Sequence, residues 1–316
     1  MLNEWCLIES DPAVFTELIE RIGVQNIIVE ELITTDESEL MKFDNVYGLI
    51  LLFKWHSSRE VSTHGTLVKD APVYFAKQVI SNACASMALL NILCNHQEDI
   101  QLGEELRHFL VFTQDLDPTL RGTQIGSWER LREAHNSFAQ PMLLEKEGAS
   151  SSRDGEESYH FESFIYRNGG IWELDGMQDG PVLCEEANEA NYKATLMEVV
   201  RRVMADISAK DTASTGRGIS FVLMAVVDDP IPSLESAIEN ALKEGKETAG
   251  LQMELDQRKA EREQNRKENR RRRFNYVPMI VELLMTLAEK GKLEPAINNQ
   301  KTEKVNRAPK NAKIEK

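Results

Sequence analysis

The stretch Val46-Tyr47-Gly48-Leu49-Ile50-Leu51-Leu52-Phe53-Lys54-Trp55 is apolar at both odd and even positions, and residues 219–227 repeat the pattern. Successive side chains of a strand point to opposite faces of its sheet. Two strands that are apolar on both faces therefore call for a sheet with helices packed on each side. The longest uninterrupted apolar run, residues 46–53, is far below the ~18 residues that span a bilayer, so no membrane segment is expected.

The helical partners are also visible. Ser10 or Asp11 as N-cap, Pro12 in the first turn, an apolar face of Val14, Phe15, Leu18, Ile19 and Ile22, and then Gly23 predict a capped helix. Helical periodicity recurs at residues 82–95, 104–113, 127–138 and 189–207. The body is of the α/β or α+β class. Residues 145–158, EKEGASSSRDGEES, contain one apolar residue and predict a mobile loop of fourteen residues. Beyond Pro230 and Pro232, Leu234, Ile238, Leu242, Leu251 and Leu255 predict a helix weakened at Gly245 and Gly250, followed by a polar arm to Arg273 that packs on little. Ile280, Leu283, Leu284 and Leu287 give residues 277–293 an apolar face, and the remaining tail shows no periodicity.

Charge divides the chain. Residues 257–316 carry 17 Lys and Arg against 8 Asp and Glu, a net of +9, so the total of −15 leaves −24 for residues 1–256. An acidic body repels nucleic acid and attracts cationic partners, so no direct nucleic-acid partner is expected. The run Arg270 to Arg273 reads as a nuclear address, a polyanion patch or a solvated helix face, and the sequence leaves all three open. The N-terminus lacks the basic and apolar regions of a secretion signal, which predicts a protein that stays inside the cell. Cys6, Cys84, Cys94 and Cys184 show no CxxC spacing and read as free thiols.

One of these thiols sits where chemistry is possible. In Gln78-Val79-Ile80-Ser81-Asn82-Ala83-Cys84 the cysteine opens a predicted helix that Ser81 or Asn82 is placed to cap. The positive end of a helix favours thiolate over thiol, and the thiolate is the nucleophile. The side-chain N–H of Gln78 and the backbone N–H of Cys84 are candidates to hold a developing oxyanion. A structural cysteine near a helix start is common, so position alone leaves catalysis and core packing both open. Cys94, in an apolar context, reads as core.

A nucleophilic cysteine needs a base and a group to orient it, and the candidates are His56, His64, His96, His108, His135 and His160. Residues 158–175 read as a hairpin around Asn168-Gly169. With a two-residue turn, paired positions sum to 337, so Asp175 faces Glu162 and is the diagonal neighbour of His160 on the same face. A three-residue turn would separate them. An ordinary edge hairpin with an exposed histidine is the competing reading.

Four stretches together resemble the ubiquitin C-terminal hydrolases, papain-like cysteine proteases: Glu4 to Pro12, Phe75 to Ala85, the hairpin ending Glu173-Leu174-Asp175-Gly176, and Asn275 to Pro278 with Glu282 to Leu284 and Thr286 to Glu289. The resemblance runs over nearly the whole chain and is nearest to the proteasome-associated type with a C-terminal extension. It implies an α/β/α sandwich over residues 1–227 and a helical, partner-binding extension over residues 228–316. It also implies roles for Gln78 as oxyanion donor, Cys84 as nucleophile, His160 as base and Asp175 as its orienter. Neither cofactor nor metal is called for. The implied partners are ubiquitin and its conjugates, a proteasomal ubiquitin receptor that binds the C-terminal region, and a nuclear chromatin-remodelling complex, which together place the protein in cytoplasm and nucleus. The loop at 145–158 is implied to cross the active site. At ~46–50 Å fully extended it leaves an opening ~15–20 Å wide, narrower than a folded domain of ~75 residues at about 29 Å, so small or unfolded leaving groups are expected to be preferred. A mainly non-catalytic ubiquitin-binding scaffold and a papain-like protease for another peptide are the alternatives.

Overall fold

The computed structural model describes residues 4–55, 64–139, 158–215, 220–295 and 297. Strands β1 (Ile27–Leu32), β2 (Val46–Trp55), β3 (Thr66–Leu67), β4 (Ser158–Arg167), β5 (Gly170–Leu174), β6 (Val182–Glu186) and β7 (Phe221–Asp228) form a sheet in the order β1-β7-β2-β4-β5-β6-β3. Each neighbouring pair is antiparallel. The two doubly apolar segments are β2 and β7, side by side in the sheet, and they explain their own composition. Ile50, Leu52, Met224 and Val226 enter the core on one face, while Leu49, Leu51, Phe53, Leu223, Ala225 and Val227 enter the core on the other. Leu49, Ile50 and Leu51 are fully buried, each worth roughly 1.5–3 kcal/mol relative to exposure.

Helices cover both faces, as an α/β/α sandwich requires. Against the first core pack α1 (Pro12–Arg21), α3 (Cys84–Leu93), α4 (Glu104–Thr113), α5 (Pro118–Ser127) and α6 (Glu129–Asn136). Against the second pack α2 (Glu37–Met41) and α7 (Tyr192–Thr215). Asp11 is the cap of α1, its carboxylate accepting the Ala13 N–H at 2.8 Å. The helix expected at 127–138 is α6; the preceding α5, with its own Asp117-Pro118 start, was not expected from periodicity, and Trp128, in an extended conformation, separates the two. The helix expected at 189–207 begins at Tyr192 and runs to Thr215. The loop expected at 145–158 lies outside the described residues except for Ser158, which already belongs to β4.

The expectation that the arm packs on little is overturned. Helices α8 (Pro230–Lys243) and α9 (Ala249–Arg273) share a small core of Ile231, Leu234 and Leu255, with the break at Gly245. Along its length α9 is held to the body by polar contacts, which an apolar periodicity does not reveal. Arg258 meets Glu30 at 3.0 Å, Arg262 meets Asp229, and Arg272 meets Glu9 at 2.8 Å and Asp11 at 2.6 Å. Arg273 pairs with Glu17. Asn269, only 1 % exposed, donates to Ala13 O at 2.8 Å and Glu17 Oε2 at 2.9 Å. Within the arginine run, Arg272 and Arg273 grip the body, while the exposed Arg270 and Arg271 pair with Glu263 and Glu268 on the solvent face of α9.

Packing divides the chain after Arg273 and not after Val227, so α8 and α9 belong to the same compact unit as the sheet. In the second unit, α10 (Val277–Glu289) is a helix with no buried residue, in which Leu283, Leu284 and Met285 are exposed.

Because the ion pairs that hold α9 keep some exposure to solvent, salt weakens them while leaving apolar packing intact, and the docking of α9 should be more salt-sensitive than the sheet. Amide hydrogen exchange between about 0.1 M and 1 M salt should show protection falling at residues 258–273 with β2 and β7 unchanged. Equal protection at both concentrations would mean that the buried Asn269 and the apolar contacts hold the arm without the arginines.

Candidate active site

The site is assembled around an extended segment, residues 74–78, laid along α3. Tyr74 is bound by Asn95, which accepts its N–H at 2.7 Å and donates to its carbonyl at 2.8 Å. Asn91, four residues earlier on the same helix face, accepts the Ala76 N–H at 2.9 Å. Lys77 N–H donates to Pro118 O and Gln78 N–H to Gly176 O, at 2.9 and 2.8 Å. Two glycines permit this closeness. A Cβ at Gly122 would stand 1.8 Å from Lys77 O, and one at Gly176 would stand 2.9 Å from the Gln78 Cβ. Asn91, Asn95 and Gly122 were not singled out in the sequence, and Gly176 entered only as part of the Glu173-Leu174-Asp175-Gly176 motif, with no role of its own. Two asparagines at i, i+4 on an otherwise apolar helix are the signal that was there to be read.

Cys84 is the first residue of α3 and is 6 % exposed. The expected side-chain cap is absent: Ala83 occupies the cap position, and Asn82, at φ 66°, donates through Nδ2 to Trp5 O at 3.0 Å. The expected thiolate is also corrected. Burial pushes the Cys84 thiol up to about 11, and the opposing hydrogen bonds from the Ala85 and Cys84 backbone N–H groups are the smaller effect. Burial outweighs the helix terminus, so ionisation requires a proton acceptor. Cys94 is buried in the core as expected, and all four cysteines are free.

The hairpin has the two-residue turn. Ser163 pairs with Leu174 and Arg167 with Gly170, each pair summing to 337. His160 Nε2 lies 2.7 Å from Asp175 Oδ1, with both side chains buried. Carboxylate pairing alone does not choose the base, since His64 meets Glu173 at 2.9 Å and Asp206 at 3.2 Å, and His96 meets Asp99 at 3.0 Å. His135 bonds Ser86 and Cys6 O. His56 lies outside the described residues. His160 differs in one respect: its carboxylate partner is followed by Gly176, whose carbonyl holds the Gln78 N–H. The dyad is thereby joined to the segment that leads into Cys84, and α3 itself lies against β4, the strand that carries His160. The amide of Gln78 donates to Ile80 O at 3.2 Å in this structure.

Among the described residues, His160, Glu162 and Asp175 offer ligand atoms within 4.8 Å of one another. Because His160 and Asp175 are hydrogen-bonded to each other, the arrangement is suited to proton transfer before metal binding. No helix among the described residues is long and apolar enough to cross a membrane.

Residues 5–205 match the family profile described as "Ubiquitin carboxyl-terminal hydrolase, family 1", and residues 248–293 match a second described as "Ubiquitin carboxyl-terminal hydrolases". Ubiquitin carboxyl-terminal hydrolase ubh-4 of Caenorhabditis elegans is 35 % identical over 305 residues, covering 94 % of this chain and 91 % of that protein. Ubiquitin carboxyl-terminal hydrolase 2 of Schizosaccharomyces pombe is 36 % identical over 287 residues, covering 90 % and 91 %. Among solved structures, Trichinella spiralis UCH37 bound to ubiquitin vinyl methyl ester superposes with a TM-score of 0.65 at 32 % identity, covering 83 % of this chain and 99 % of that one. With the sandwich, the buried His160–Asp175 pair and the cysteine-headed helix in place, these matches show that the chain belongs to the ubiquitin carboxyl-terminal hydrolase family.

Proposed function

We propose that the chain cleaves the bond after the C-terminal glycine of ubiquitin by thiol chemistry, with Cys84 as nucleophile, His160 as base, Asp175 as its orienter and Gln78 as oxyanion donor. The observation that carries this reading is the tie from Asp175 through Gly176 O to the Gln78 N–H, which couples the imidazole–carboxylate pair to the segment preceding Cys84. Since Asp175 engages Nε2 of His160, the ring exchanges the thiol proton at Nδ1. The Cys84 proton passes to His160 as sulfur attacks the carbonyl carbon. The oxyanion is held by the Cys84 backbone N–H and by the Gln78 amide, which exchanges its bond to Ile80 O for the substrate. His160 then protonates the leaving amine, and a water that His160 deprotonates clears the thioester and returns the thiol.

Ubiquitin as partner is supported by the family and by its presence in the Trichinella spiralis relative. The acidic body, −24 over residues 1–256, suits the arginine-rich chain end that the family resemblance implies. For the extension, the exposed apolar residues of α10 support docking to a protein partner, and the family resemblance makes that partner a proteasomal ubiquitin receptor. A chromatin-remodelling complex as second partner, and a distribution over cytoplasm and nucleus, rest on the resemblance alone.

Cys84→Ala should retain ubiquitin binding and abolish hydrolysis of a ubiquitin–fluorophore amide; residual hydrolysis would remove Cys84 from the mechanism, and binding without any wild-type turnover would favour the scaffold alternative. Asp175→Asn should lower kcat by about 10²–10⁴-fold with the fold intact by circular dichroism, through loss of the tautomer that accepts the thiol proton. In His160→Ala, alkylation of Cys84 should stay slow at neutral pH and climb only as pH approaches about 11, the value that burial imposes on the isolated thiol. Fast alkylation near pH 7 in that variant would show that the helix terminus ionises the sulfur unaided.

A further inference from the structure

Residues 4–11 cross the head of α3 as a strap, clasped at both ends, and the clasp reaches Cys84 from either side. Trp5 O accepts the Asn82 Nδ2–H at 3.0 Å, two residues before the cysteine. Two residues after it, Ser86 Oγ lies 2.8 Å from His135 Nδ1, and His135 Nε2 lies 2.8 Å from Cys6 O. A carbonyl only accepts, so His135 carries its proton on Nε2 and takes the Ser86 hydroxyl proton bond at Nδ1. Burial holds this ring neutral, its pKa lowered to about 4. Asn136 completes the clasp, accepting the Cys6 N–H at 3.0 Å and donating to Glu4 O at 2.8 Å.

The far ends of this network are held by the last two residues of α9. Arg272 binds Glu9 and Asp11, at the end of the strap, and Asp11 in turn caps α1. The Arg273 guanidinium lies 5.2 Å over the Phe138 ring, and Phe138 N–H donates to His135 O at 3.1 Å. One arginine thus anchors the strap and the other anchors the end of the helix that carries His135 and Asn136.

We infer that Arg272 and Arg273 are positioning residues for Cys84, acting through the 4–11 strap and through His135 on the two residues that flank the thiol. The inference rests on the assignment of Cys84 as nucleophile. Reactivity of a nucleophile is steep in its geometry, so a strap loosened at Glu9 and Asp11 costs rate at a site that never touches the arginines.

The test uses the full-length protein. Arg272→Ala should lower kcat for a ubiquitin–fluorophore amide by about tenfold with KM changed less than about twofold. It should slow alkylation of Cys84 by iodoacetamide, a reagent that needs no ubiquitin site, in parallel. Arg272→Lys should recover part of both, since it keeps the charge and loses the two-pronged geometry. Arg266→Ala removes the Arg266–Glu20 contact between α9 and α1 without touching the strap, and should leave both rates unchanged. Equal effects of Arg266→Ala and Arg272→Ala, or alkylation that does not respond to Arg272→Ala, would overturn the inference. If Arg272→Ala does not fold, Ser86→Ala approaches the network from inside: slowed alkylation supports the relay and unchanged alkylation refutes it. Failure of the wild type to be labelled at Cys84 by a ubiquitin C-terminal electrophile would sink the hydrolase assignment instead, whatever the alkylation rates of the variants.

Discussion

The helix α3 is buried over all ten of its residues, and that single constraint organises the site. A buried polar side chain without a partner costs on the order of 1–3 kcal/mol, so each polar residue of such a helix must find one. In α3 and its continuation, Ser86 finds His135, Asn91 finds Ala76 and Asn95 finds Tyr74. Every one of those partners belongs to a segment that frames Cys84. The requirement to satisfy a wholly enclosed helix is thus the same requirement that lays residues 74–78 alongside it and holds the strap across its head.

The same enclosure sets the chemistry. A sulfur 6 % exposed is held in its protonated form, up to about 11, even with two backbone N–H groups directed at it. A thiol that does not ionise by itself is inert until a base is brought beside it, so the fold places control of reactivity in the hairpin that carries His160 and Asp175. Their joint position follows from strand register: a one-residue change in the turn would send the two side chains to opposite faces.

Electrostatics acts at a second level. The acidic body and basic C-terminal region appear in composition as a molecule waiting for charged partners, and part of that attraction is used inside the molecule, where arginines of α9 meet Glu9, Asp11, Glu17, Glu20, Glu30 and Asp229. Such contacts are individually weak, and they act together with Asn269, which provides a buried, directional anchor. An arm docked by polar contacts is easier to shift than one docked by an apolar face.

From the sequence alone, a sheet covered by helices on both faces was legible because β2 and β7 are apolar on both faces, the α/β/α sandwich itself being implied by the family resemblance. The hairpin was legible at Asn168-Gly169, with the pairing sum of 337 holding for the two-residue turn that the structure shows. These are local rules, periodicity and turn chemistry, and they determined a body of helices on a sheet, the position of Cys84 at a helix start and, for a two-residue turn, the placing of His160 and Asp175 on one face. The register found in the structure is what brings the two together. Tertiary structure alone decided the docking of α9, the protonation of Cys84, the roles of Asn91, Asn95 and Gly176, and the division of the chain after Arg273. Each of those depends on which groups are brought together across hundreds of residues and how much water is excluded when they meet, quantities that no local spacing encodes.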